Sequence, residues 1–263
     1  GAPVAERDHR GASVQVMSIS GGLIRTTMIE GDDDVRPVDA QQGPSGNVIV
    51  GGTSESALLP ASVGSYSATK AGATDGFVSI VDAAGTVIAS SYLGSSDADT
   101  VRSICVDEDG NICVAIETSG SLATTADAMQ SGPQGAIDAA VFILSADLKH
   151  MNYGSYVAGS GLDMPRWLST NRDAEFVLYG QTTSENLPIG PSPERAAPIA
   201  GAMPDCYMLR WSPLPQISIS PTLISFDTVL IGRTGSGIIR IANDGQLRAA
   251  TVESIASVVG TNS

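Results

Sequence analysis

The chain has 263 residues, room for one large β domain and a small companion, and 42% of them are hydrophobic, enough to fill buried sheets. Acidic residues outnumber basic ones 28 to 14, so the net charge of −14 excludes the clustered cations that binding to nucleic-acid phosphates needs. Aromatic residues are only 5%, leaving few rings for a ligand cage, and no apolar run reaches the roughly 18 residues that span a membrane.

The first residues, Gly1-Ala2-Pro3-Val4, lack the basic region and apolar stretch of a signal peptide. The first predicted element is a hairpin, Val14 to Ile19 and Leu23 to Arg25 around Gly21-Gly22. It reads as the outer half of a four-stranded unit. After it the text repeats. Asn47 and Asn111, each behind a glycine, are 64 apart, as are Tyr92 and Tyr156; Arg36, Arg102 and Arg166 follow at steps of 66 and 64. Asp75, Asp138 and Asp205 open a shared phrase at steps of 63 and 67.

One copy predicts four strands. Val101 to Val106 and Ile112 to Ile116 flank an Asp-Gly turn, in which Glu108-Asp109-Gly110 forms a three-residue loop with Gly110 left-handed. A second hairpin follows in the same pattern, Gly76 to Val81 and Thr86 to Tyr92 around Asp82 to Gly85. The third copy keeps the plan with Phe176 to Tyr179 and Cys206 to Trp211. The Ser/Thr/Pro/Gly-rich stretches 53–74, 118–136 and 182–203 lack helical spacing and read as ordered loops crossing each unit.

Asp-x-Phe-Val-x-x-x-Asp, Tyr-Leu-Gly, an Asp-bearing loop, Ile-x-Val-Asp and Asp-Gly-Asn together resemble the SBBP family of bacterial β-propeller repeats. The resemblance covers Val14 to Pro213 and is strongest from Asp75 to Ala158; the third copy departs, with Arg172-Asp173-Ala174-Glu175 in place of Asp-Gly-Asn. Beyond Trp211-Ser212-Pro213-Leu214-Pro215, the strands predicted at Ile217 to Ser220, Ile224 to Asp227, Val229 to Gly232 and Ile238 to Ala242 resemble the opening of an Ig-like ASH-type, choice-of-anchor-like domain. Asp227 stands where that pattern usually has glycine.

The expected fold is all-β: β-propeller blades, each a four-stranded antiparallel sheet, about three and a half present, plus a partial Ig-like β-sandwich. The expected boundaries are a partial propeller over 1–213, with blades at 1–34, 35–99, 100–163 and 164–213, and an incomplete sandwich over 214–263. Both ends then read as pieces of a longer polypeptide, the alternative being a short arc completed by a partner subunit.

Candidate chemistry is sparse. A recurring acidic loop carries Asp32, Asp33 and Asp34, then Asp97 and Asp99, then Asp163. Such carboxylates can hold Ca²⁺, the one cofactor considered, or cap backbone amides in a solvated turn, the reading preferred here. Cys105 and Cys113 fall opposite one another across the turn, as two buried thiols or a strained disulfide; Cys206 reads as a core residue. No G-x-S-x-G elbow occurs, His9 falls in a terminus, and His150 reads as an exposed turn residue. Asp99, Asp107 and Glu117 are the acids that a glycan hydrolase could use. The repeated arginines read as ion-pair partners more than an anion-binding ring, and Trp167 and Trp211 as core or blade-interface residues.

These readings point to a non-enzymatic extracytoplasmic scaffold or protein-interaction subunit, with a protein partner, a larger envelope complex or a polysaccharide to bind. No nucleic acid and no membrane span are expected. The bacterial cell surface is what the resemblance implies. The rivals are a propeller glycan hydrolase or glycan-binding protein, and a calcium-stabilised adhesin.

Overall fold

Alternating β-branched runs separated by Gly-bearing turns become strands throughout the computed structural model, which describes residues 10–170, 175–188, 204–211, 217–220 and 240–243. The chain divides into two compact units, 1–211 and 212–263. No helix occurs among the described residues.

The first unit opens with an antiparallel hairpin, β1 (Ala12–Met17) and β2 (Leu23–Ile29). A first four-stranded sheet follows, β3 (Val35–Gln42), β4 (Val48–Ser54), β5 (Asp75–Val81) and β6 (Val87–Leu93), each strand antiparallel to the one before. The second sheet repeats it with β7 (Asp99–Val106), β8 (Ile112–Thr118), β9 (Asp138–Leu144) and β10 (Met151–Val157). The third has β11 (Asp163–Thr170), β12 (Phe176–Thr182) and β13 (Asp205–Trp211). In the second unit, β14 (Ile217–Ser220) pairs antiparallel with β15 (Arg240–Asn243). The strands predicted at Ile224 to Asp227 and Val229 to Gly232 lie outside the described residues.

The period is set by the first hairpin of each sheet, β3–β4, β7–β8 and β11–β12, here called inner, the second hairpin being called outer. β3, β7 and β11 begin at residues 35, 99 and 163, and β4, β8 and β12 at 48, 112 and 176, each 64 after the last. Tight turns hold this register: Gly46 and Gly110 adopt φ of 77° and 83°, and their amides donate to Gly43 O and Asp107 O at 3.1 and 3.0 Å. In the outer hairpins the left-handed position is Gly85 (φ 84°) in the first sheet and Leu148 (φ 58°) in the second. Leu148 is fully buried, so its apolar contacts offset an unfavourable backbone.

The sheets stack face on face, β7 against β3, β4 and β5, and β11 against β7, β8 and β9. Because both faces of a central strand are covered, β5 and β9 are buried along their whole length. Ile49, Val78, Ile80 and Leu93 of the first sheet meet Val101, Ile104, Ile116 and Phe142 of the second in one core. Gly51 makes the approach possible: a Cβ there would lie 2.9 Å from both Ile104 Cγ2 and Val101 Cγ1.

Each inner strand carries a β-bulge at the same place, between Pro37 and Asp39, Val101 and Ser103, and Pro165 and Trp167. Two residues past the bulge, an outward-facing amide of the edge strand reaches the neighbouring sheet. Ile104 N donates to Asp39 Oδ2 at 2.9 Å, and Leu168 N to Ser103 Oγ at 3.2 Å. Ser103 Oγ also donates to Asp39 Oδ2 at 3.0 Å. The seam ends at both extremes, since Ala40 N donates to its neighbour Asp39 Oδ1 at 2.8 Å and Trp167 replaces the acceptor in the third sheet.

The bulges correct the arginine alignment. The extra residues are Val38, Arg102 and Arg166, so Arg36 stands two positions out of step with the other two. Two apolar expectations also change: Cys206 is exposed rather than core, and Trp167 is 52% exposed rather than buried at an interface.

Candidate functional site

The acidic loops precede β3, β7 and β11 and sit at successive junctions, so the candidate carboxylates are dealt out along the stack. Asp99 opens β7 fully buried, its Oδ2 accepting from Ser95 N at 2.5 Å and Ser95 Oγ at 3.0 Å. Asp163 opens β11 in the same way, accepting from Gly159 N at 2.6 Å, Ser184 Oγ at 2.8 Å and Thr182 Oγ1. Asp32 accepts from Ser56 Oγ, Ala57 N and Leu58 N at 2.7, 2.8 and 3.1 Å. Asp33 accepts from Asp34 N, Asp34 from Arg10 N and Arg36 Nη2, and Asp97 from Ser96 Oγ. Among the described residues no group of three or more His, Cys, Asp or Glu side chains is placed to hold a metal ion.

Two buried aspartates that the calcium reading passed over act as loop clamps. Asp75, first residue of β5, accepts from Ala71 N and Gly72 N at 2.7 and 2.9 Å. Asp138, first residue of β9, accepts from Gln134 N and Gly135 N at 3.1 and 3.0 Å. Burial raises the Asp99 carboxyl above its ordinary range, and the charge of Asp75 adds to it. Burial likewise raises Asp138, with Asp163 as the like charge. The exposed loops behave oppositely: Asp32 is lowered chiefly by the Ser56 hydroxyl, and Asp34 by the Arg10 amide and then Arg36.

The long segments 55–74 and 119–137 cross the sheets under tight restraint. Tyr92 OH donates to Ser56 O and accepts from Leu59 N, both at 3.0 Å. Tyr156 OH donates to Gly120 O at 3.0 Å and accepts from Leu122 N at 2.6 Å. The neighbouring serines repeat the device, Ser91 Oγ accepting from Ser67 N at 3.0 Å and Ser155 Oγ from Gln130 N at 3.1 Å. The strand amides close the same contacts, Tyr92 N to Ser67 O and Tyr156 N to Gln130 O, each at 3.0 Å. The tyrosine spacing was legible; the role of the serine before each was not, although Ser-Tyr recurs at the same step. Most of the third crossing segment lies outside the described residues.

The remaining candidates are occupied elsewhere. Glu117 binds Arg102 through two contacts of 2.8 and 3.1 Å, Arg36 pairs with Asp34 and Glu55, and Arg166 bonds Gln181 at 3.0 Å. Asp107 caps its own turn, accepting from Asp109 N and Asn111 N at 3.0 and 2.8 Å. His150 is exposed in a turn, and His9 is outside the described residues. Cys105 and Cys113 are directly opposed, buried free thiols; burial, with the Cys105 side chain as a hydrogen-bonding neighbour, pushes the Cys113 thiol well up and makes it a poor nucleophile. A cavity of about 230 Å³ between the first two sheets is lined by Tyr66, Ser67, Tyr92, Leu93, Leu122 and Phe142 among others, with no carboxylate or imidazole.

The site is thus a set of loops locked to stacked sheets by buried hydroxyls and carboxylates, with Asp99 Oδ1 left buried and without a hydrogen-bond partner. No protein-family model matches the chain, and a search of curated proteins finds no match.

Proposed function

We propose that the chain is a non-enzymatic scaffold, a segment of an SBBP-type β-propeller leading into an Ig-like module, that works outside the cytoplasm in a bacterial surface or envelope assembly. Its mechanism is display. Stacked sheets hold the crossing loops in fixed register, and the loops meet a protein partner. The observation that carries this reading is the recurrence, 64 residues apart, of a buried tyrosine that pins its crossing loop through two hydrogen bonds, Tyr92 to Ser56 and Leu59, and Tyr156 to Gly120 and Leu122. Fixing a loop in advance lowers the ordering cost of binding. Asp107 and Glu117, two of the three acids that hydrolysis could use, are already committed to capping and ion pairing, which supports the non-enzymatic side.

Hydrogen exchange over residues 55–74 and 119–137, together with a panel of soluble glycans and chromogenic glycosides, tests the proposal. The expected result is slow exchange at Leu59, Ser67, Leu122 and Gln130 amides and no turnover. Random-coil exchange rates at those amides would remove the display mechanism, and glycoside turnover lost in Asp99→Asn would replace the scaffold by the hydrolase.

A further inference from the structure

The first two sheets each have all four strands, and the cavity of about 230 Å³ between them is walled by the strands and crossing segments of both. Tyr66 and Ser67 line it from the first crossing segment, Leu122 and Ala123 from the second, Gly94 from just past β6 and Phe142 from β9. With Tyr92, the wall holds three of the chain's twelve aromatic side chains (2 Trp, 6 Tyr and 4 Phe), so rings that are scarce elsewhere gather here.

One amide in this wall lacks the acceptor that its counterpart has. Just past β10, Ala158 N donates to Gln130 Oε1 at 3.0 Å. Gln130 N donates to Ser155 Oγ and Gln130 O accepts from Tyr156 N; Ser67 N and O make the same two bonds with Ser91 and Tyr92. Ser67 therefore occupies the place of Gln130, and Gly94 that of Ala158. Serine is too short to span the gap. Ser67 Oγ donates instead to Thr69 O at 3.1 Å, and Gly94 N donates to no group among the described residues. The Tyr66 hydroxyl has no partner among them either, whereas the hydroxyls of Tyr92, Tyr153 and Tyr156 each accept from a backbone amide.

The wall thus sets an unpaired donor among aromatic and aliphatic surfaces, with no charged side chain in the lining. Such an amide favours a ligand oxygen, because covering it without an acceptor costs free energy. A charged ligand would meet no counter-charge. An apolar cavity of about 150 Å³ holds benzene, so the volume here admits one six-membered ring with its substituents. A pyranose meets all three conditions: it is uncharged, it is one ring with an apolar C–H face, and its oxygens accept from N–H groups.

We infer that this cavity binds one uncharged pyranose unit of a glycan, Gly94 N donating to a sugar oxygen and the aromatic wall taking the C–H face. The inference goes beyond the display of loops to a protein partner and does not depend on it.

Amide-resolved NMR of the whole 263-residue chain, titrated to about 50 mM with the methyl pyranosides of glucose, galactose, mannose and N-acetylglucosamine, tests it. At least one sugar is expected to shift the Gly94 and Leu122 amides saturably, with a Kd of about 1–10 mM for so small a ligand. Ser67→Gln installs the second sheet's own solution; it is expected to leave the rest of the spectrum in place, pair Gly94 N from within and weaken binding by about 10-fold or more. Ala123→Leu, at an exposed position of the other segment, narrows the same cavity and is expected to give the same loss, which keeps the test open if Ser67→Gln does not fold. The absence of a saturable Gly94 shift with every sugar, or unchanged binding in a folded variant, overturns the inference. So does a stronger response to N-acetylprolinamide than to any sugar, which would make the cavity a docking point for a peptide. In each of those cases slow exchange of the crossing-loop amides leaves the scaffold reading standing.

Discussion

One oxygen atom at Tyr156 satisfies two backbone groups of a loop that has no strand to pair with, donating to Gly120 O and accepting from Leu122 N. Removing it leaves a carbonyl and an amide without partners in a buried setting, so Tyr156→Phe is expected to cost about 1–3 kcal/mol. Urea unfolding should show a lower midpoint at an unchanged slope. An unchanged midpoint would mean that water enters and takes over both bonds. The sequence marked Tyr156 by its spacing alone, because spacing reports that a position matters and not what it touches. Cys206 was misread for a related reason: Cys206, Tyr207, Met208 and Leu209 are all apolar, so alternation cannot fix which face is inward. Pairing fixes it, turning Tyr207 and Leu209 inward and Cys206, Met208 and Arg210 outward.

At the scale of elements, the strands and turns were readable because β-branched runs and Asp-Gly turns carry local signals. The bulges were not. A bulge is one extra residue of no fixed type, and Val38, Arg102 and Arg166 share no chemistry that would announce it. Missing it hid the seam, since the amides of Ile104 and Leu168, two residues past each bulge, are the ones that reach another sheet. Close stacking also depends on small residues that sequence reading treats as neutral. Gly51→Val would press new methyl groups into Ile104 and Val101, already 2.9 Å from where a Cβ would begin. It is expected to destabilise the stack by about 1–3 kcal/mol by overpacking. The measurement is thermal unfolding of Gly51→Val beside Gly46→Ala, which meets no neighbour but strains a left-handed turn; equal losses would argue that strain, and not inter-sheet distance, decides both.

For the whole molecule, buried and exposed aspartates set opposite slopes on the same stability curve. Asp99 and Asp138, raised by burial, keep protons in the folded state that the unfolded chain gives up; their contribution is full below the ordinary value of 3.8 and is lost as pH rises through the raised values. Asp32 and Asp34, lowered, and Asp147, lowered to about 2 chiefly by the Ser145 hydroxyl, contribute above 3.8 and lose that contribution as pH falls through their lowered values. Tm is therefore expected to rise on mild acidification from neutral pH and to fall below about pH 3.8. In Asp99→Asn the rise should be shallower, with the acid limb unchanged. A wild-type Tm that falls steadily from pH 7 downward would show that burial does not govern these carboxyls. None of this could be read from the chain, where all five aspartates look alike.

The inner hairpins keep a strict 64-residue step, whereas Asp75, Asp138 and Asp205, which follow the crossing loops, drift to 63 and 67. The differences in length thus fall in the crossing loops and, by one residue, in the turn between β9 and β10, away from the bulges of β3, β7 and β11. A lineage built on this plan can rewrite what its loops contact one residue at a time, while the spine can change only by gaining or losing a whole repeat.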